Sequence, residues 1–356
     1  LCGESAVEAL PGYESFHGVT SDCKPWRKGG RLGVCPACGG VQKVIDSAWQ
    51  SDTDKIYRDY TIYHQSAGAE QPVFDVVSGA PSARSERLLK CLASHTPWPE
   101  TGRLLDIGWG NGALLRAFGR IAPRWSLART ELDDKSRSVV EGIDHVEAFF
   151  TIPPAQIPGT YDLITMIHVL EHIITPKRLL NSLRNKLTDG GLLVVEVPEF
   201  LQNPFDLLIT DHCTHFSAAT VIELLRSTGY EVVLTATDWV PKELTIVALK
   251  AKGQYRGRTD TAFSSFESAM KCLQWLKSVV ETARATAKNG EFGLFGTAIG
   301  ATWLFQELRE SVRFFVDEDV QRAGKNHMGI PIYLPQNVPN GSHVYLALTP
   351  GIAKSI

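Results

Sequence analysis

Leu104-Leu105-Asp106-Ile107-Gly108-Trp109-Gly110-Asn111-Gly112 is an apolar run that ends in three alternate glycines and leads into a helical stretch. Glycine lets the backbone turn tightly and approach a ligand that a Cβ would repel, and the following helix N-terminus offers free N–H groups to a carboxylate. Glu131 closes the next apolar run, Trp125–Glu131. A carboxylate at the end of a second strand is placed to accept hydrogen bonds from both hydroxyls of a ribose. The spacing D-x-G-x-G-x-G differs from the G-x-G-x-x-G of dinucleotide sites.

Two other clusters carry chemistry. Asp211-His212-Cys213-Thr214-His215-Phe216 packs two imidazoles and a carboxylate into the segment after the apolar run Gly191–Val197. His168 and His172 follow the run Tyr161–Ile167, at the same edge of the sheet these runs imply. Histidine is the natural proton acceptor near neutral pH. Near the start, Cys35-Pro36-Ala37-Cys38-Gly39-Gly40 is a C-x2-C turn closed by glycine, which points two thiolates at one ion. Cys2 and Cys23 are candidate partners for a closed structural zinc site, or a cysteine preceding Leu1 completes it; ordinary reduced cysteines are the alternative. Cys91, Cys213 and Cys272 are isolated and are expected to be packing residues.

The elements that must position these residues follow from periodicity. Strand-like runs Arg103–Ile107, Trp125–Glu131, Tyr161–Ile167 and Gly191–Val197 alternate with helical stretches Gly112–Ile121, Lys135–Ile143 and Pro176–Leu187, which implies right-handed crossovers and a parallel sheet. A helix over Ala218–Thr228 and strands Glu231–Thr237 and Leu244–Ala251 follow, the last two suited to an antiparallel edge. Ahead of this unit, residues 1–75 show no sustained helical period and read as a loop-rich module. After it, Lys252–Thr261 reads as a linker, Phe263–Lys288 as a long helix, and the remainder as a second, smaller alternation of strands and helices. The expected fold is therefore α/β: a Rossmann-like core over 76–252 with a small N-terminal module over 1–75 and a smaller C-terminal α/β domain over 253–356.

The glycine loop, Glu131, Tyr161-Asp162-Leu163-Ile164 and His168-Val169-Leu170-Glu171-His172 together resemble the class I S-adenosylmethionine-dependent methyltransferase family. The resemblance implies that Asp106, Gly108, Gly110, Asn111, Glu131, Leu132 and His168 hold the cofactor; Trp109 departs from the small residue usual in the loop. The three-part layout is similar to that of bacterial sugar C-methyltransferases, which act on nucleotide-linked ketosugars in deoxysugar biosynthesis. Asp211-His212 and His215-Phe216-Ser217 resemble their Glu-His pair and aromatic-Phe-Ser run, and Tyr57–His64 resembles their tyrosine-rich segment where substrate enters. This implies His212 as the base that removes a proton next to a ketone, Asp211 as its orienting carboxylate, and His172 and Tyr63 as groups that contact substrate or stabilise the enolate. The implied cofactors are S-adenosyl-L-methionine and structural Zn2+ on Cys2, Cys23, Cys35 and Cys38. Gly293–Gly300 with Asp317 looks like a dinucleotide turn without its full spacing, which favours a substrate-handle or scaffold role over a second cofactor.

Composition narrows the alternatives. A formal net charge of -3 and the lack of an Asn-Pro-Pro-Tyr-like motif argue against nucleic acid as substrate, and no apolar run reaches the roughly 18 residues a bilayer span needs. The expectation is a cytoplasmic enzyme of a small-molecule substrate. Rival readings are an O- or N-methyltransferase and a non-catalytic binding module.

Overall fold

In a computed structural model, the structure describes residues 1–4, 6–60, 70, 72–74, 81–108, 110–131, 134, 136–253 and 262–354. The expected linker, apart from residues 252 and 253, lies outside them, as do Tyr63, Trp109 and Leu132.

The N-terminal strands β1 (Glu8–Ala9), β2 (Leu32–Val34) and β3 (Val41–Lys43) precede helix α1 (Ser47–Arg58). The core begins with α2 (Arg84–His95). It continues through β4 (Gly102–Ile107), α3 (Ala113–Ile121), β5 (Trp125–Thr130), α4 (Arg137–Glu141), β6 (Val146–Phe150), β7 (Tyr161–Ile167), α5 (Pro176–Arg184) and β8 (Leu187–Pro198). Next come the short strand β9 (Thr214–His215), α6 (Ala218–Ser227), β10 (Tyr230–Ala236) and β11 (Glu243–Lys250). The core sheet has the order β6-β5-β4-β7-β8-β11-β10, in which β11 runs antiparallel between β8 and β10. Chain order reverses between β4 and β7, so the crevice beyond their carboxyl ends is the place where such a sheet binds ligands.

Each central strand buries both faces. Leu105, Ile164, Val195 and Ile246 enter one core and their neighbours Leu104, Leu163, Val194 and Val247 the other, because successive side chains point to opposite sides of a strand. The antiparallel edge expected from sequence is present, and β6 is an added strand. With Val146-Glu147-Ala148-Phe149-Phe150 at the outer edge beside β5 and irregular in register, it shows neither alternation nor a fully apolar run.

Helix α1 corrects the loop-rich reading of the N-terminal segment. Its buried face includes Asp52 and Thr53 beside Ile56, so no apolar period marks it, and Asp46 caps it by accepting from Trp49 N–H at 2.8 Å. The segment is also not self-contained. Strand β9, from the core's histidine loop, completes its sheet in the order β1-β2-β3-β9, with Thr214 opposite Gln42 and His215 opposite Val41.

After helix α7 (Ala262–Thr286) come β12 (Phe292–Phe295), α8 (Ile299–Leu308), β13 (Phe314–Val316), β14 (Asn326–His327), β15 (Ile330–Tyr333) and β16 (His343–Leu346). Their sheet order is β14-β15-β13-β12-β16, with β15, β13, β12 and β16 parallel and a second reversal between β12 and β16. One apolar cluster joins this unit to the N-terminal strands and to the loop after β8: Leu32 and Val41, Phe205 and Leu207, Leu276 and Trp303 belong to it. Trp303 is fully buried, with ring centroids 6.0 Å from Phe16 and 5.9 Å from Phe205. Trp303→Ala is expected to cost about 3–5 kcal/mol, read as a lowered midpoint in urea unfolding followed by circular dichroism.

Candidate active site

The parallel register of β4 builds the first half of the site. Asp106 lies opposite Arg129 of β5 and opposite Thr165 of β7. Its buried carboxylate accepts from Arg129 Nη1 at 2.8 Å and from Thr165 Oγ1 at 2.6 Å. Arg129 also donates Nη2 to the carbonyls of Gly108 (2.9 Å) and Gly110 (3.1 Å), and Nε to Glu131 Oε1 (2.7 Å). The loop is thus fixed from below by one guanidinium. Gly110 N–H donates to Glu131 Oε1 at 3.3 Å, and the Asn111 side chain accepts from Ala113 N–H at 3.2 Å as α3 begins. Gly108 has φ 153°, and a Cβ there would meet Val169 at 2.8 Å; Gly112, at φ 78°, would strike Ile143. Both glycines thus hold a backbone that a side chain would displace against Val169 or Ile143, and Gly108, Gly110 and Gly112 line the cavity with backbone, which fits a cofactor that approaches it closely.

The second half is built on the histidine loop. Asp206 is buried in a short 3-10 turn over Pro204–Leu208 and accepts from two imidazoles at once: His212 Nδ1 at 2.8 Å and His215 Nδ1 at 2.7 Å. This corrects the expected pairing, since the carboxylate that orients His212 is Asp206 and not its neighbour Asp211. Asp211 faces the other way, accepting from Ser21 N–H at 2.9 Å and from the Ser21 hydroxyl at 2.5 Å, with His172 Nδ1 3.6 Å from its carboxylate. Burial alone would lower the pKa of His212, but the Asp206 charge and hydrogen bond outweigh it and the net shift is upward. For His215, burial, with Lys43 and His212 beside it, prevails and the pKa falls to about 4.

His172 stands edge-on to His212, ring centroids 4.6 Å apart, with Nδ1 3.0 Å from the Tyr57 hydroxyl. Burial and the adjacent His212 lower its pKa to about 4. His168 has a left-handed backbone (φ 54°) and lies between Arg84 and Glu171. Arg84 Nε also donates to Glu196 Oε1 at 3.1 Å, and its Nη2 pairs with Glu243 at 2.9 Å. Both halves line one cavity of about 1390 Å³, together with Tyr57 and the C-terminal unit's residues at its own chain reversal, Gly296–Ala301 and Ala347–Ile352.

The thiols divide. Cys2, Cys35 and Cys38 have sulfurs within 4.8 Å of one another, and the knuckle closes through Cys35 N–H to Gly40 O and Gly39 N–H to Cys35 O, each 2.9 Å. Cys23 does not join them. It sits at the turn of the ribbon formed by Gly18–Val19 and Pro25–Trp26 and lines the cavity near Lys242 and Arg322, so the expected four-cysteine set is corrected to three. In the C-terminal unit, Asp317 is engaged by Thr297 Oγ1 at 2.8 Å and Arg322 Nη1 at 3.0 Å.

Arg84, Arg129, Glu171 and Asp206 are site residues that the sequence did not single out. Asp206 had a signal, being an acid in the same loop as both histidines, six and nine residues ahead of them.

Residues 82–235 match a family model described as a methyltransferase domain. Over 102 residues the chain is 31% identical to a ubiquinone biosynthesis O-methyltransferase, mitochondrial, of Schizosaccharomyces pombe, covering 26% of this chain and 36% of that protein. Over 110 residues it is 29% identical to an uncharacterised protein of Synechococcus sp., covering 28% of this chain and 26% of that one. The chain thus spans about a third and a quarter of these relatives' lengths. Among solved structures it is similar to the pyocyanin biosynthetic protein PhzM (17% identity, TM-score 0.40, 45% of this chain and 53% of that one). It is also similar to CalO1, a methyltransferase in calicheamicin biosynthesis solved with S-adenosylhomocysteine (19% identity, TM-score 0.35, 47% and 54%). The matched residues form a class I methyltransferase domain, of the S-adenosylmethionine-dependent kind.

Burial raises the Glu131 carboxyl to about 7 against the charge and hydrogen bonds of Arg129, so at pH 8 Glu131→Ala removes a charged acceptor. Hydrogen bonds to charged groups are worth about 1.5–3 kcal/mol, so calorimetry is expected to show S-adenosylmethionine bound at least about tenfold more weakly.

Proposed function

We propose that the chain is an S-adenosylmethionine-dependent methyltransferase of a small molecule, and that it methylates carbon next to the ketone of a nucleotide-linked sugar with His212 as general base. The observation that carries this reading is the buried Asp206–His212 pair, 2.8 Å apart, whose imidazole lies on the wall of the cavity that the glycine loop also lines. Carbon beside a ketone becomes nucleophilic only after losing a proton. An imidazole whose Nδ1–H is held by a carboxylate keeps Nε2 as the acceptor.

Bound S-adenosylmethionine supplies an electrophilic methyl group. Glu131 accepts from its ribose, while Gly108, Gly110 and Asn111 line its methionine end; the Arg129 lattice holds these groups in place before binding. Asp206 fixes the tautomer and direction of His212. His172, kept neutral by burial beside His212, and Tyr57 line the same cavity and contact the acceptor. The resemblance gives Leu132 a role at the cofactor and Tyr63 one at the substrate, and both roles belong to this reading.

A cavity of about 1390 Å³ exceeds the roughly 300–1,000 Å³ of a pocket for one small ligand, which supports an acceptor that carries a sizeable handle. The handle lies against Gly296–Ala301, at the reversal point of the C-terminal sheet. The division into an N-terminal module (1–75), a methyltransferase core (76–252) and a C-terminal unit (253–356) follows these roles. Cys2, Cys35 and Cys38 supply thiolates for a structural zinc ion, with a fourth ligand outside this set, and the ion would brace the sheet that anchors β9. Among the described residues no helix is long and apolar enough to cross a membrane.

The O-methyltransferase title of the fission-yeast relative favours a second reading, in which the acceptor is a hydroxyl. Hydrogen exchange separates the two. With a thymidine diphosphate-linked 4-ketohexose in deuterium oxide, the carbon reading requires loss of the proton signal next to the ketone, and the oxygen reading requires none. His212→Gln is expected to lower that exchange by at least about 10²-fold. In the native protein the rate rises with pH through a midpoint above the ordinary histidine value, because the paired imidazole holds its proton longer. A flat profile, or exchange unaffected by the substitution, rejects His212 as base. Cys35→Ser is expected to lower bound zinc, measured by atomic emission on the purified chain, from one ion to none.

A further inference from the structure

Glu171 is a buried acid on the cavity wall, 1% exposed, and neither the glycine loop nor the Asp206 pair uses it. Its neighbours fix where its proton lies. Arg84 can only donate, and its Nη2 meets His168 Nε2, which also lies 3.5 Å from Glu243 Oε2; with Arg84 as the donor, Nε2 accepts. His168 is then neutral with its hydrogen on Nδ1, and that hydrogen goes to Glu171 Oε1 at 3.2 Å. Oε2 has no hydrogen-bond partner among the described residues. An ionised carboxylate with one oxygen dry and unpaired is costly, whereas a neutral carboxyl places its O–H on Oε2 and leaves a donor awaiting an acceptor. The backbone is fixed as well, because the Glu171 carbonyl accepts from Cys213 N–H at 2.8 Å, tying it to the residue next to His212. A carboxyl oxygen of Glu171 and a ring nitrogen of each of His172 and His212 lie within 4.8 Å of one another.

We propose that Glu171 is a catalytic hydrogen-bond donor, whose neutral carboxyl presents its O–H to the substrate oxygen beside the carbon that His212 deprotonates. The proposal rests on the carbon-methylation reading. His212 Nε2 takes the proton from carbon, and the C–H electron pair moves into the carbonyl to give an enolate whose oxygen accepts from Glu171. The carbon then forms a bond to the methyl group as the C–S bond breaks with its pair left on sulfur, and His212 returns its proton to water. Arg84 and His168 are positioning residues for Glu171. Burial supports the neutral form, raising the Glu171 carboxyl to about 8 despite His212, with Asp206 and Glu243 adding to the rise. Arg84, His168, His172, Tyr57 and Cys213 are the other ionisable groups near it among the described residues. A protonated acid in an apolar wall serves an enolate well, because it donates without bringing a second negative charge.

Two measurements on the full chain test this. The first needs no substrate: an infrared difference spectrum at pH 7 between the native protein and Glu171→Gln should contain a protonated-carboxyl stretch that the variant lacks. Its absence overturns the proposal. The second follows exchange of the hydrogen next to the ketone in the thymidine diphosphate-linked 4-ketohexose. Loss of one donor to a developing oxyanion costs about 10²–10³-fold, so Glu171→Ala should slow exchange by about 10²-fold at unchanged S-adenosylmethionine affinity. Glu171→Gln, whose amide N–H2 can still donate from the Oε2 position, should recover at least about tenfold of that loss. Equal loss in both variants, with both folded by circular dichroism, overturns the donor role. If the native protein itself shows no exchange, the carbon-methylation reading fails, and the infrared band still decides whether Glu171 is a donor.

Discussion

A carboxylate that accepts from two imidazoles through one oxygen each must be both dry and immobile, and much of this chain is arranged to keep Asp206 so. Its partners His212 and His215 are three residues apart on a loop that has little regular structure of its own. That loop is held from outside. β9 carries His215 into the N-terminal sheet opposite Val41, and Ile209 pairs with Val19 in an isolated bridge. The Leu207 carbonyl accepts from both Tyr13 Oη and Lys43 Nζ at 2.7 Å. Lys43 is itself buried, and burial lowers its ammonium to about 7 against the pull of Asp206 and Asp211. The N-terminal segment is therefore part of the site's frame. Without it the loop would keep its residues but lose the geometry that aims them.

The C-terminal unit closes the same frame from the other side. Phe205, adjacent to Asp206, packs against Trp275 and Trp303, and a Cβ on Gly300 would meet the Ala347 carbonyl at 2.4 Å. That glycine lets α8 approach the end of β16 closely, and it also brings the second chain reversal up to the cavity. Two sheets with their ligand-binding ends opposed produce one large cavity between them, and the apolar cluster that joins them is continuous with the N-terminal strands. Packing and cavity shape are here the same fact, since the residues that exclude water from Asp206 also set the walls.

How much of this could be read from the residues depended on range. The glycine loop and Glu131 were legible because strand, turn and helix follow one another in the chain and the spacing is dictated locally. The core strands were legible for the same reason, each being apolar on both faces. α1 was not, because its buried face carries Asp52 and Thr53. Asp206 was passed over for Asp211 because adjacency in sequence looks like adjacency in space. Asp211 lies in the turn before His212 and faces Ser21, while the acid six residues earlier, in its own 3-10 turn, meets the ring. Arg84 and Arg129 needed the sheet register, which places Arg129 directly opposite Asp106. Cys23 looked like a fourth thiolate at a reasonable loop distance, but the ribbon turn carries it to the cavity.

The acids around the cavity also explain one another. Asp206, Glu171, Glu196 and Glu243 are all buried, and Arg84 bonds to two of them, Glu196 and Glu243. Like charges so close cannot all be ionised in a dry site. Asp206 keeps its charge because two N–H groups point at it, which holds its carboxyl well below the usual range despite burial. Glu171 receives one N–H, from a neutral imidazole, and burial wins. Burial likewise raises Glu243 to about 7, against the pull of Arg84 and with Glu196 adding to the rise. The charges and N–H groups that His215 and His212 bring to Asp206, more than its depth, separate it from Glu171. Asp206 thus holds His212, which lines the cavity, and Glu171 lines it directly. Arg84 controls the second through His168, so a cation that touches neither reacting atom fixes which oxygen carries the proton.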